Sequence, residues 1–272
     1  MDVRIDSLCV ERGGVTVLAD VSISLSSSTV VAICGPNGSG KSTLLHTLAG
    51  DLALWGGRIL FDNVPLQDVD NVGLARRRAV LPQQLHVPFD FSGLDIVRLG
   101  RLPWRHRAAG DDDAVAFRAL TTFEADDLAA RTYPTMSGGE QQRVQLARVW
   151  AQLDGVADGL VLLDEPTSAL DPKHQHLVFQ RMRERATTGA CVVAVVHDLQ
   201  LARTYADHVV VLRDGGVVVS DEVTRALTPQ HLKAAFDVEV VEAALPNGAS
   251  ALVVRPPPAA PSTLAAPLPG EA

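Results

Sequence analysis

The sequence predicts an α/β fold: a mainly parallel sheet flanked by helices, an antiparallel β-subdomain ahead of it, and a helical subdomain inserted into it. Three observations carry that prediction. Short apolar, β-branched runs recur at residues 29–34, 160–163 and 190–196, each the length of a buried strand and each followed by helical spacing. Two strand-like runs, 3–10 and 15–25, precede the first of them. From about residue 88 to 151 the strand-like runs stop and helical spacing takes over.

In chain order, residues 21–26 alternate with the period of a half-buried strand, and Gly13-Gly14 suits a hairpin turn between the first two strands. Residues 29–34 run into Gly35, Pro36, Asn37, Gly38, Ser39, Gly40, Lys41, Ser42 and Thr43, and residues 44–50 follow as a short helix that closes on glycine. Strand, glycine-rich loop and helix together make the setting of a phosphate-binding loop. The glycines let backbone N–H groups turn towards an anion, and the helix N-terminus adds partial positive charge. Lys41 then reaches the β- and γ-phosphates, and the Ser42 hydroxyl suits Mg²⁺. A loop that merely turns is the bland reading of the same residues.

Residues 58–61 read as a short strand, 62–65 as a turn, and 79–84 as a strand running out into a loop. Helical spacing covers 94–100, 113–120 and 125–130, and a long helix starts after Ser137-Gly138-Gly139, burying Val144, Ala147 and Trp150. The α/β rhythm then resumes with strand 160–163, a helix from Pro172 to 186, strand 190–196 and helix 199–206. Strands 208–213 and 216–219 flank Asp214-Gly215, a hairpin signal, and a helix over 229–236 and a strand over 238–241 follow. The division predicted is one α/β domain over 1–243 with its helical subdomain at about 88–151, then a Pro/Ala-rich tail over 244–272 that is disordered beyond 255.

Composition narrows the function. A net charge of −8 argues against nucleic acid as main partner, which needs a basic face. The three cysteines, Cys9, Cys34 and Cys191, form no C-x-x-C pair and sit in apolar runs, so they read as inert buried thiols of a reducing compartment. The first residues lack the apolar core of a signal peptide, and no apolar run approaches the length of a transmembrane helix. The expectation is a soluble chain, or one held at a membrane through another chain.

The second half of the site lies late in the chain. Four apolar residues run into Asp164-Glu165, and a carboxylate at the end of a buried strand is placed to hold Mg²⁺, directly or through water. Glu165 then lies beside the terminal phosphate as a general base for water. The alternative is a solvated acidic turn before Pro166. Ser137-Gly138-Gly139 at a helix start is another phosphate-sized anion site, or else an ordinary N-cap with flexible glycines. One chain needs one site for a terminal phosphate, so a second suggests service to another copy of the protein.

On these residues the chain resembles ATP-binding-cassette (ABC) ATPases over roughly residues 1–240, and the resemblance implies a P-loop NTPase core of RecA-like type. Residues 136–142, Met-Ser-Gly-Gly-Glu-Gln-Gln, resemble that family's signature, with Met for the usual Leu. Gln83 resembles the Q-loop glutamine, which senses Mg²⁺ and contacts the transport partner. Residues 168–171, ending in Asp171, resemble the D-loop that crosses the dimer interface, and His197 resembles the switch histidine at the γ-phosphate. The resemblance implies a head-to-tail dimer enclosing two ATP, each between one phosphate loop and the opposite Ser137, Gly138 and Gly139. One position departs: Arg12 stands where an adenine-stacking aromatic is usual, and it either stacks by its guanidinium plane or is solvated.

A lone cassette resembles the importer arrangement. Residues 139–149, and 164–171 followed by His174-Gln175, are similar to bacterial haem (hemin) importer ATPases; the wider group imports iron–siderophores and vitamin B12. This implies a transmembrane permease dimer, indirectly a substrate-binding protein, and a peripheral place on the cytoplasmic face of the inner or plasma membrane. The helical subdomain is the part expected to dock the permease. Arg98, Arg101, Arg105 and Arg107, with Trp104, read either as facing it or as a solvated basic surface. A soluble cassette acting on ribosomes or DNA is the rival, but tandem cassettes and a long coiled-coil insertion are both missing from the sequence.

Overall fold

A computed structural model describes residues 1–83, 87, 89–104, 112–244 and 250–255. β1 (Val3–Arg12) and β2 (Val15–Leu25) pair antiparallel, with Arg12 opposite Val15 across the Gly13-Gly14 turn. In β2 Val21, Ile23 and Leu25 are buried and the serines between them exposed, as period-2 patterning demands. β3 (Thr29–Cys34) leads through residues 35–40 into α1 (Lys41–Leu48). β4 (Gly56–Phe61) and β5 (Val64–Pro65) complete a four-stranded antiparallel sheet in the order β2-β1-β4-β5.

α2 (Asn71–Arg77) and β6 (Arg78–Leu81) follow. Then come α3 (Gly93–Leu99), α4 (Asp112–Thr122) and α5 (Gly138–Gln152), which pack on one another. Residues 125–130, expected to be helical, hold only a 3₁₀ turn over Asp126–Leu128. The chain just after it is held against the start of α3, where the Leu94 amide donates to Ala129 O and that of Gly93 to Arg131 O.

β7 (Leu160–Leu163), α6 (Pro172–Thr187), β8 (Cys191–Val195), α7 (Leu199–Tyr205), β9 (His208–Arg213) and β10 (Gly216–Glu222) complete the core. The main sheet runs β10-β9-β3-β8-β7-β6, parallel except for β10. Its two faces are sorted by alternation. Val31, Ile33, Leu160, Leu162, Val193, Val195, Val210 and Leu212 join a core with α1 and the antiparallel sheet. Val30, Ala32, Val161, Leu163, Val192, Ala194, Val209 and Val211 join the opposite core with α5 and α6. Burial on both faces explains why these strands read as unbroken apolar runs. It also pushes the Cys34 and Cys191 thiols up to about 12, leaving them inert.

After α8 (Val223–Ala226) and α9 (Pro229–Phe236), β11 (Glu239–Ala244) pairs with β12 (Ser250–Arg255). Regular structure thus continues past residue 243, where the sequence placed the end of the domain. Arg203 of α7 contacts both Glu242 and Ser250, and the Leu252 amide donates to Gln200 Oε1 at 3.3 Å, so the hairpin is tied to α7. The tail beyond residue 255 lies outside the described residues.

The basic cluster on the helical region is organised inward. Arg101 is only 5% exposed. It donates to Asp112 Oδ1 at 2.9 Å and to Ala151 O at 2.8 Å. Trp104 donates to Gln152 O at 2.8 Å, with the Arg76 and Arg101 guanidinium carbons 5.4 and 5.5 Å from its ring centroid. Arg98 pairs with Asp113 at 2.6 Å and Asp95 at 3.1 Å. Arg101 and Trp104 therefore brace α5 against the segment after α3, instead of presenting a basic face. Arg105 and Arg107 lie outside the described residues.

Val144 and Ala147 are buried as the helical spacing of α5 requires, while Trp150 is half-buried and meets the fully buried Phe123 edge-on at 4.9 Å. Phe123→Ala is expected to lower unfolding stability by about 3–5 kcal/mol. Urea denaturation checks this, and a loss below about 1 kcal/mol means the helical region is not locked through that ring.

Candidate functional site

In a parallel sheet all strands deliver their carboxyl ends to one edge, where ligands of such folds bind. Here β3 ends in the glycine-rich loop, β7 in Asp164-Glu165, β8 two residues before His197 and β6 two residues before Gln83. β8 lies between β3 and β7, so His197 emerges between the loop and Glu165. Four separated stretches of sequence are thereby brought together.

The loop needs its glycines at definite places. A Cβ on Gly35 would stand 2.3 Å from Leu212 O, and one on Gly40, at φ +97°, 2.6 Å from the Leu18 side chain. Gly38, at φ +78°, faces open space. Beside it lies a cavity of about 280 Å³ lined by Val17, Asn37, Gly38, Gly40, Lys41, Ser42, Thr43, Gln83 and Glu165. Lys41 Nζ donates to Gly35 O at 3.0 Å and Pro36 O at 2.9 Å, holding the loop curled around its own cation. Burial pulls the Lys41 amine below its ordinary value against the opposing charges of Glu165 and Asp164.

Asp164 is 1% exposed. Its Oδ1 accepts from Ser42 Oγ at 3.1 Å, joining α1 to β7, while Oδ2 is buried and has no hydrogen-bond partner among the described residues. Burial raises the Asp164 carboxyl, and the Glu165 charge adds to the effect. One orphaned carboxylate oxygen beside a serine hydroxyl suits a hard divalent cation that keeps waters and phosphate oxygens as its other ligands. Among the described residues no cluster of three or more His, Cys, Asp or Glu side chains forms a caged metal site. Ser39 Oγ is also buried and unpartnered.

Glu165 takes a left-handed backbone, φ 48°, which turns its carboxylate back over the cavity. His197 Nε2 is 2.8 Å from Glu165 Oε1; a carboxylate only accepts, so Nε2 carries the proton. Burial works to raise Glu165, but the bonds from His197 and Gln83 and the Lys41 charge outweigh it and hold the group below the usual glutamate value. The side chain is thus ionised and oriented, the state that accepts a proton from water.

Ser137, Gly138 and Gly139 are not in this cavity. Ser137 caps α5 in a reciprocal box: the Glu140 amide donates to Ser137 Oγ at 3.4 Å, and the Ser137 amide to Glu140 Oε2 at 2.7 Å. The Ser137 amide bond, followed by the Ser137 hydroxyl and Arg131, holds the Glu140 carboxyl down at about 2. Ser137 and Gly138 are exposed, and a Cβ on Gly139 would meet Ala169 O at 2.9 Å. Gln142 Nε2 donates to Pro166 O at 3.0 Å. The start of α5 therefore rests on residues 166–169, with Ser137 and Gly138 at the surface. Asp171 caps α6, accepting from the His174 amide at 3.0 Å and facing the His174 ring at 2.8 Å.

Val17, on β2, lines the cavity and was missed in the sequence reading; the alternation that buries Leu18 in the core is the signal that turns Val17 outward. Arg12 is exposed at the tip of the same hairpin.

The comparisons with known proteins agree with this arrangement. A family profile described as "ABC transporter" matches residues 18–168. The Hemin import ATP-binding protein HmuV of Pseudomonas fluorescens (strain Pf0-1) is 44% identical over 252 residues, 92% of this chain and 98% of that protein. Among solved structures, the inward-facing conformation of a transporter described as of metal-chelate type matches with a TM-score of 0.76 at 26% identity, covering 93% of this chain and 97% of that one. The dimeric structure of a bacterial ABC transporter cassette matches with a TM-score of 0.73 at 27% identity, covering 81% and 98%.

The burial of Asp164 yields a prediction of sign. A carboxyl raised in the folded state stabilises the fold only while protonated, and that contribution is lost as pH rises through the folded value. At neutral pH the ionised group is thus a cost to the nucleotide-free fold. Asp164→Asn is expected to raise the Tm of the nucleotide-free protein by roughly 2–4 °C, the shift that about 1 kcal/mol gives in a domain of this size. Calorimetry at neutral pH measures it, and a lowered midpoint would mean that the carboxylate is not under strain.

Proposed function

The chain belongs to the ABC transporter family, and from that premise we propose that it is the ATP-hydrolysing subunit of a bacterial importer that energises haem uptake through a separate permease. The observation that carries the reading is the split site. Lys41, Ser42, Glu165, Gln83 and His197 converge at one sheet edge, whereas Ser137, Gly138 and Gly139 lie outside that cavity at the start of α5, with Ser137 and Gly138 exposed. Such a chain binds a triphosphate alone but completes its enclosure only with a second copy.

In this reading Gly35, Pro36, Asn37, Gly38, Ser39, Gly40, Lys41, Ser42 and Thr43 wrap the phosphates of ATP. Ser42 and Asp164, with Gln83 nearby, would hold Mg²⁺, which would supply charge neutralisation to the phosphates. Lys41 exchanges its bonds to Gly35 O and Pro36 O for phosphate oxygens. Glu165 accepts the proton of the attacking water, and His197 holds Glu165 and reaches the γ-phosphate side. Ser137, Gly138 and Gly139 of the partner copy add amide donors to the terminal phosphate, and Asp171 lies beside that seam.

Closure on ATP and opening after hydrolysis then drive the permease dimer, and a substrate-binding protein delivers cargo from the far side. The subunit is peripheral, on the cytoplasmic face of the membrane; among the described residues no helix is long and apolar enough to cross one. The helical insertion of about 88–151 is the part assigned to the permease. Phe89 and Phe91, with ring centroids 5.8 Å apart, and Leu99 and Leu102 expose an apolar surface there, which suits a helix end of a membrane protein. The likeness to HmuV supports haem as cargo. A second reading, an iron–siderophore or vitamin B12 importer, draws on the likeness to the metal-chelate type transporter.

Glu165→Gln is expected to bind ATP, to hydrolyse it about 10²–10⁴-fold more slowly, and to accumulate as an ATP-bound dimer in light scattering. Normal turnover would transfer the role of base to another residue. For the cargo, deletion of the coding region should abolish growth on haem as sole iron source while sparing growth on a ferric siderophore. The reverse pattern favours the second reading.

A further inference from the structure

His46 reaches the buried end of β7 without having any of the roles above. It stands four residues after Ser42 on α1, and side chains at that spacing share a helix face. Both therefore lie over Asp164. Ser42 Oγ donates to Oδ1 at 3.1 Å, and His46 Nε2 is 3.9 Å from Oδ2, the oxygen with no hydrogen-bond partner among the described residues.

The ring is held from its other side. Nδ1 lies 3.2 Å from Asp51 Oδ2, and the Asp51 amide donates to the His46 carbonyl at 3.0 Å, fixing that carboxylate just past the end of α1. A carboxylate only accepts, so Nδ1 carries the proton in this bond, and in that tautomer Nε2 presents its lone pair. Nε2 and Asp164 Oδ2 are then two acceptors facing each other beyond direct bonding distance. A single water donating one hydrogen to each would satisfy both.

We propose that His46 is a positioning residue for the metal site: with Asp164 Oδ2 it accepts from one water of the bound cation, and Asp51 holds the ring in the tautomer that can do so. Ser42 braces the site from the phosphate side and His46 from the outer side, one helical turn apart. The inference rests on the assignment of Ser42 and Asp164 to Mg²⁺ made above. Partners of this kind, one shell out from the metal, typically change metal affinity tenfold or more when removed.

The test is titration of the full chain with ATP, in Mn²⁺ and separately in EDTA, read by calorimetry. Wild-type protein should prefer the metal complex, and Asp164→Asn should lose that preference; if either fails, the metal assignment itself is wrong. Given both, His46→Ala should weaken binding of the Mn²⁺ complex about tenfold while leaving metal-free ATP within about twofold, and His46→Gln, whose amide oxygen can accept in place of Nε2, should recover most of the loss. Asp51→Ala, which keeps the imidazole but frees the ring, should show a smaller loss with the same selectivity for the metal complex; it decides the matter if His46→Ala does not fold. Equal losses with and without metal would reduce His46 to a packing role, and no loss in either His46→Ala or Asp51→Ala would remove it from the site.

Discussion

The bond between Ser42 Oγ and Asp164 Oδ1 is the interaction on which the rest of the structure depends. It joins residues 122 positions apart in sequence, and it forms only if β3 and β7 run parallel in the same sheet, one strand apart. That order needs β8 between them, which puts His197 beside Glu165. It also needs both faces of the sheet covered, because three adjacent parallel strands that are apolar at every position but Thr29 have no face to offer water. Placement of α1 and the antiparallel sheet on one side, and of α5 and α6 on the other, follows from that requirement.

Charge explains what the site is for. Two carboxylates, Asp164 and Glu165, stand against one partly buried lysine. Burial raises the first, whereas hydrogen bonds hold the second ionised. An anionic ligand entering alone meets excess negative charge; entering with a divalent cation it meets a hydroxyl, an orphaned carboxylate oxygen and the glycine-rich loop. The N-terminus of α5 offers the complementary half. Its capping box satisfies Ser137 and Glu140 internally, yet Ser137 and Gly138 remain exposed, and residues 166–169 beneath them lead directly from Glu165. Packing of Gly139 on Ala169 thus ties the outward-facing half-site of a chain to its own inward-facing one.

Much of this was legible because the physics is local. The glycine-rich loop between a β-branched run and a helix, and the apolar run into Asp164-Glu165, state their chemistry in consecutive residues. What was not legible depends on distant partners. Residues 125–130 have helical spacing, but the Ala129 carbonyl is taken by the start of α3. Arg101 looks like a surface cation until Asp112 and Ala151 O are seen to enclose it. β12 lies in a stretch whose composition suggests a tail, and its pairing with β11 is supported by Arg203 from another element. Val17 faces the cavity only because the hairpin folds over it, and His46 is one histidine among eight until α1 sets it over Asp164.

The central claim is that a triphosphate gripped by one chain is enclosed by the helix start of a second. A crystal structure with Mg²⁺ and a non-hydrolysable ATP analogue measures this most directly. The account predicts a two-fold pair in which Lys41 of one chain, together with Ser137 and Gly139 of its partner, lies within hydrogen-bond distance of the same γ-phosphate. A nucleotide bound at Lys41 with the partner's Ser137 and Gly139 turned to solvent would contradict it.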